Sequence, residues 1–209
     1  RDLGVHVSTD LVPRHHIDKI TSNAFSRSGL IYRCFKTRDK LFLKKMFCTF
    51  VRPLLEFSTP TWSPHNIGLI MAIERVQRNF TSKIPAIKDL SYPERLESLN
   101  LESLELRRVK YDLVELFKIV KGFSVLNFND YFEFKPYISS RRPNNLQIFI
   151  NTVGSSLARN FFKYRAARVW NELPEFIVQA HSVLIFKKRL ENFDLSPFLT
   201  CFPNSYVRS

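Results

Sequence analysis

Glycine is scarce in this chain, 5 residues in 209, and none sits in a G-x-G-x-x-G or G-x-x-x-x-G-K-S/T pattern. That excludes the two glycine-rich loops that cradle phosphates at a helix N-terminus. Cysteine is scarcer still. Cys34, Cys48 and Cys201 are an odd number without a C-x-x-C, so neither a disulfide framework nor a zinc site is indicated, and they read as small apolar residues in a reducing compartment. No apolar run nears the roughly 20 residues that span a bilayer, and no signal peptide is visible. Adjacent aspartates and D-x-D are absent, so no carboxylate pair is set to hold Mg²⁺ ions. His15 and His16 would point about 100° apart on a helix and cannot share one metal, while His65 and His181 stand alone. No nucleophile-elbow G-x-S-x-G occurs around Ser155 and Ser156. No catalytic residue is therefore assigned, and an enzyme acting alone is not expected.

What the chain has in excess is positive charge and phenylalanine. It carries 32 Lys and Arg against 19 Asp and Glu, a net charge of +13, and 20 Phe. The charge is uneven: Arg1 to Ser91 holds 15 basic and 7 acidic residues, Tyr92 to Lys135 holds 7 and 8, and Pro136 to Ser209 holds 10 and 4. Two basic regions flanking a neutral one point to a polyanionic partner, nucleic acid ahead of a membrane surface. The length suits one large or two small domains, and 44% apolar content is enough to bury a core.

Along the chain, Leu3 to Val7 reads as a short strand and the pattern turns helical after Pro13. Ile17, Ile20, Ala24, Ile31 and Cys34 make one apolar stripe, leaving Lys19, Arg27 and Arg33 outside. A second helix is expected from Thr37 as N-cap, with Asp39 in its first turn. A third covers residues 66–84 and buries Ile70, Ile73, Val76, Gln77 and Phe80. Ser91 and Glu94 have the spacing of a capping box. The next helix shows Leu106, Val109, Leu113, Leu116 and Val120 on its face and stops at Gly122. Alternating Phe and Ile between residues 131 and 150 predict a β-hairpin or extended segment. Two more helices follow, one ending before Pro174 and one capped by Ser182.

The stretch VRPLLEFSTPTWSP, Val51 to Pro64, is too apolar for a linker and too rich in proline for an undisturbed helix. Pro53 is expected to kink the second helix near Thr49, and Pro60 to stop it. Trp62 would anchor the turn. Arg52 and Glu56 are four apart, a pair worth about 0.2–0.5 kcal/mol if exposed. Three basic clusters could meet phosphate: Lys36, Arg38, Lys40, Lys44 and Lys45; then Arg75, Arg78 and Lys83; then Lys163, Arg165 and Arg168, interleaved with Phe162 and Tyr164.

In order and spacing, DLGVHV, VRPLLEFSTPTWSP, IERVQRNFTSKI, the block from Tyr92 to Gly122, and FFKYRAARVWNELP with FKKRL resemble the reverse transcriptases of non-LTR (LINE-type, jockey-like) retrotransposons. The resemblance covers nearly the whole chain and corresponds to the end of the polyprotein. It implies a mainly α fold: a last palm strand over 1–12, a helical thumb-like bundle over 13–90, and a mostly helical C-terminal region over 91–209. It implies RNA and DNA as partners, held as a template–primer hybrid by the phosphate backbone, together with the upstream palm of the same polyprotein. No membrane and no small-molecule substrate is expected. By position in that resemblance, Lys19, Arg27, Arg33, Lys44, Arg75 and Arg78 are the residues expected on the hybrid's phosphates, and Lys163, Arg165 and Arg168 on RNA or target DNA; Arg52 is expected either to fix the turn with Glu56 or to face a phosphate. Mg²⁺ belongs to aspartates of the missing palm, so no cofactor is expected in this chain. The first residue being Arg1 rather than Met fits a piece of something longer, acting in nucleus and cytoplasm. The alternative is a degenerate, element-derived helical protein-interaction domain without nucleic-acid activity.

Overall fold

The computed structural model describes residues 2–136, 146–151, 154 and 158–201. It is mainly α-helical, and its only described extended pairing is two isolated antiparallel bridges, Asp2 to Val5 and Phe134 to Ile148. The chain divides into two compact units. The first takes in residues 2–108 with 199–201, the second 109–198 as far as they are described.

In the first unit, α1 (Arg14–Cys34) packs along α5 (Ile67–Ser82) and against α3 (Arg52–Glu56). The buried stripe of α1 is Ile17, Thr21, Ala24, Ser28 and Ile31, while Cys34 is exposed and Ile20 only half-buried. Thr21 and Ser28 enter the core because their hydroxyls donate to the carbonyls of Ile17 and Ala24, both at 2.7 Å, which removes the cost of burying them. Helix α2 (Lys40–Met46) starts two residues later than expected, since Asp39 rather than Thr37 caps it by accepting from the Phe42 N–H at 2.7 Å.

A π-helical turn, Phe47–Val51, joins α2 to α3, and the Arg52 N–H donates five residues back to Phe47. Pro53 explains it: the ring has no N–H for the carbonyl of Thr49 and would collide with it in an α-helix, so the wider turn intervenes. The expected kink is thus a π bulge. The stop belongs to Ser58, which is left-handed at φ 55°, whereas Pro60 lies in the first turn of α4 (Thr59–Trp62). The Trp62 indole N–H donates to Phe57 C=O at 2.8 Å and its ring meets His16 edge-on, so it does anchor this corner. Phe57 stays largely exposed.

Helix α6 (Tyr92–Ser98) carries the expected capping box between Ser91 and Glu94. It ends at left-handed Asn100, where the Leu101 N–H returns to Leu96 C=O at 2.8 Å. One apolar cluster runs through this unit from Ile17 through Leu43, Phe47, Val51, Ile73 and Phe80 to Leu104. The expected strand over Leu3 to Val7 is not formed: Leu3 and Gly4 both have positive φ, 42° and 92°, and fold the segment into a tight turn closed by Asp2 and Val5.

Helix α7 (Leu104–Val120) begins in the first unit and continues into the second. Leu106, Leu113 and Leu116 are buried as expected, with Val109 and Val120 only half-buried. At its end Gly122 (φ 70°) closes a Schellman motif through Phe123 N–H to Lys118 C=O at 2.7 Å. In the second unit α8 (Phe128–Tyr131) precedes the bridge between Phe134 and Ile148, which is flanked by Lys135 N–H to Gln147 C=O and Phe149 N–H to Glu133 C=O. This is the base of the expected hairpin; its centre, residues 137–145, lies outside the described residues. Helices α9 (Phe162–Glu172), α10 (Glu175–Val178) and α11 (Val183–Glu191) complete the unit, α11 capped by Ser182 as expected. Phe186 stacks on Phe117 at 4.2 Å, and Trp170 donates to Leu146 C=O at 2.8 Å.

Candidate nucleic-acid interface

The expected phosphate contacts fall into two groups. Lys19, Arg27 and Arg33 are exposed on α1, and Arg75 and Arg78 are exposed three residues apart on α5. Lys44 on α2 is half-buried. Lys19, Arg27, Arg33, Lys44 and Arg75 make no ion pair among the described residues. Arg52 and Arg165 differ. Arg52 pairs with Glu56 at 3.7 Å. Arg165 makes a bidentate pair with Asp112 at 2.7 and 3.0 Å and donates to Asn160 C=O, so its fork is engaged inside the second unit. On the same helix α9, exposed Arg168 donates to Arg159 C=O at 3.1 Å, and the Lys163 ammonium lies 5.8 Å from the Tyr164 ring centroid.

Two residues from different basic clusters meet on one ring. The Arg38 guanidinium and the Lys83 ammonium lie 5.5 and 5.9 Å from the centroid of Tyr32, whose hydroxyl donates to Phe80 C=O at 2.8 Å. Arg38 also donates to Tyr32 C=O in the last turn of α1, where a cation offsets the helix dipole, and to the carbonyls of Phe35 and Thr37 just past it. Burial pushes the Tyr32 hydroxyl well above the usual tyrosine range.

Several carboxylates of this unit are turned to internal work. Asp10 accepts from the Ser8 hydroxyl and the Val12 N–H, which lowers its pKa, and Glu94 is lowered likewise by Ser91. Glu56 binds Arg107. Glu105 accepts the N–H groups of Thr200 and Cys201 at 2.7 and 3.1 Å.

A second arginine–aromatic cluster was not legible as a site in the sequence. Glu74 of α5 is fully buried; it accepts the Leu104 N–H at 2.9 Å and the Tyr92 hydroxyl. It thus supplies the N-terminus of α7 with a hydrogen-bond acceptor from within the chain. Burial raises the Glu74 pKa against these hydrogen bonds and the nearby charge of Arg108. Gln77 donates to Tyr92 Oη at 3.1 Å and to Glu102 C=O at 3.0 Å. Above that network, the Tyr92 ring carries two cations, Arg78 at 4.9 Å and Arg95 at 5.7 Å from its centroid. The sequence signal for Glu74 was its place beside Ile73 on the inner stripe of α5, and Arg95 follows a capping box that accounts for its neighbours but not for itself.

No membrane-spanning helix exists among the described residues, and no group of three His, Cys, Asp or Glu side chains is placed to hold a metal ion there. No protein-family model and no solved structure matches the chain. Over 124 residues it is 24% identical to an uncharacterized protein of Caenorhabditis elegans, a match covering 58% of this chain and 63% of that protein. The chain therefore spans less than two thirds of the relative's length.

Proposed function

We propose that the chain holds an RNA–DNA template–primer hybrid by its phosphates, as the thumb and following segment of a non-LTR retrotransposon RNA-directed DNA polymerase whose palm carries the Mg²⁺ chemistry. On this reading it works in the nucleus and cytoplasm beside that palm. The observation that carries it is the sorting of charge in the first unit: Glu56, Glu74, Glu94 and Glu105 serve caps and internal pairs. Lys19, Arg27, Arg33 and Arg75 meanwhile stand exposed without an ion pair among the described residues. Such cations bind a polyanion by releasing its counterions, independently of sequence.

Filter binding of a short RNA–DNA hybrid at two salt concentrations tests the reading. The affinity should fall steeply, log K dropping by about 0.9 per neutralised phosphate for each decade of salt. Lys19→Glu with Arg75→Glu should weaken binding at unchanged thermal stability, because neither side chain has an ion pair to lose among the described residues. No binding at low salt sinks the proposal. A second reading, an element-derived protein-interaction domain, is favoured by the exposure of Leu3, Val7, Leu11 and Phe57. It predicts that the charge reversals change nothing.

A further inference from the structure

Arg95 is an arginine in the wrong place for a purely structural residue. It is only 7% exposed, yet no carboxylate pairs with it among the described residues. Its Nε is buried without a hydrogen-bond partner, and its side chain's one hydrogen bond among them is a long one, 3.4 Å from Nη1 to Leu90 C=O. Burying a cation without an anion is costly, and buried charges in folded chains are normally paired. Here the neighbour is a second cation, since Arg78 lies on the same Tyr92 ring. Glu74, the acid bonded to the hydroxyl of that ring, is also taken up by the N-terminus of α7.

We propose that Arg95 and Arg78, held on the ring of Tyr92, form a binding site for one phosphate group. The site stands on this geometry; it rests on the reading above only in naming nucleic acid as the source of the phosphate. A guanidinium fork matches two phosphate oxygens at once, and a phosphate shared with Arg78 supplies the anion that Arg95 lacks among the described residues and offsets the repulsion between the two cations. Arg78 is exposed and meets the phosphate first, while Arg95 is reached through the small part of its surface that stays open. The Tyr92 ring lies 4.9 Å from the Arg78 guanidinium and 5.7 Å from that of Arg95, and its own hydroxyl is locked by Glu74 and Gln77. Burial and the Arg78 charge both weaken the hold of Arg95 on its proton, the state a bound anion relieves.

The test uses the full chain, with sodium pyrophosphate as probe against sodium chloride of equal ionic strength, and a short RNA–DNA hybrid in parallel. Pyrophosphate should raise the melting temperature of the native chain and chloride should not. Arg95→Met keeps the apolar stem and deletes the buried charge, so without probe it should melt at or above the native temperature. It should also lose the pyrophosphate shift, weaken hybrid binding about tenfold and lower the salt slope by about one. A residue kept for structure alone would show the opposite, a lower melting temperature with the shift intact. Arg78→Gln, at an exposed position, provides the same readout should Arg95→Met not fold. No shift in the native chain, or a shift retained in both variants, overturns the site. A shift dependent on Arg95 in a chain that does not bind hybrid upholds the site with free phosphate as ligand and overturns the reading above.

Discussion

Glu56 at the end of α3 belongs to Arg107 of α7, fifty-one residues away, more than to Arg52 one turn before it. The Arg107 fork grips both carboxylate oxygens, one of them at 3.1 Å, whereas Arg52 Nε stands off at 3.7 Å. Glu56 is 9% exposed and Arg107 21%, so the pair is sheltered from the screening that weakens surface ion pairs. Arg52→Ala should therefore cost no more than about 0.5 kcal/mol, and Glu56→Ala about 1–3 kcal/mol. A double-mutant cycle by urea denaturation measures both couplings; a larger coupling for Arg52–Glu56 than for Arg107–Glu56 would contradict this assignment.

The cap of α2 offers a contrast between neighbours. Asp39 accepts the Phe42 N–H at 2.7 Å, while the Thr37 hydroxyl takes only the Asp39 N–H at 3.4 Å. Asp39→Ala should destabilise the chain by about 1 kcal/mol and Thr37→Ala by a few tenths. Thermal melts of the two variants decide it, and equal losses would move the cap back to Thr37.

Helix positions were largely legible because period and caps agree there: the box at Ser91 and Glu94, the Gly122 stop and the Ser182 cap all appear where their residue types require them. What the pattern concealed is long-range and polar. Thr21 and Ser28 look like surface residues until their hydroxyls are seen closing on the preceding turn. Glu74 looks like a break in an apolar stripe, and its partners, Tyr92 and the Leu104 N–H, lie 18 and 30 residues on. The apparent strand at Leu3 to Val7 alternates correctly, but positive φ at Leu3 and Gly4 turns it on itself, and alternation carries no information about a turn inside it. For the candidate interface, exposure of Lys19, Arg75 and Arg78 followed from periodicity, whereas the engagement of Arg165 by Asp112 needed the fold.

His16 should make stability depend on pH. It is buried, takes the His6 N–H on Nδ1 at 3.3 Å, and faces Trp62, with His6 and His15 beside it. Burial first, and then the charges of His6 and His15, hold its pKa below 6.5. The unfolded chain therefore takes up a proton before the folded one, and stability falls as pH drops through 6.5, by at most about 1.4 kcal/mol per pH unit for this one proton. His16→Asn keeps an acceptor near Nδ1 and does not titrate. Urea denaturation at about pH 7 and pH 5 should show a smaller loss in the variant than in the native chain; an equal loss would remove His16 from the account.

Glu74 predicts the opposite sign, which separates it from His16 in the same experiment. Its carboxylate is fully buried, and desolvation raises its pKa above 4.5 despite the hydrogen bonds it accepts. Between 4.5 and that raised value the folded chain holds the proton and the unfolded chain does not, so this group's contribution to stability diminishes as pH rises. Glu74→Gln fixes the side chain in a neutral form, keeps an acceptor for the Leu104 N–H, and removes this dependence. Relative to the variant, the native chain should gain stability as pH falls from neutral toward 4.5, the reverse of the His16 comparison. Glu74→Ala has no acceptor to offer, takes their shared acceptor away from the buried Leu104 N–H and Tyr92 O–H, and should cost about 3–5 kcal/mol at neutral pH. If Glu74→Gln and Glu74→Ala were equally destabilised, the carboxylate would be acting by its charge on Arg108 rather than by capping α7. Melting the two variants side by side distinguishes these, because only the capping role is rescued by an uncharged oxygen.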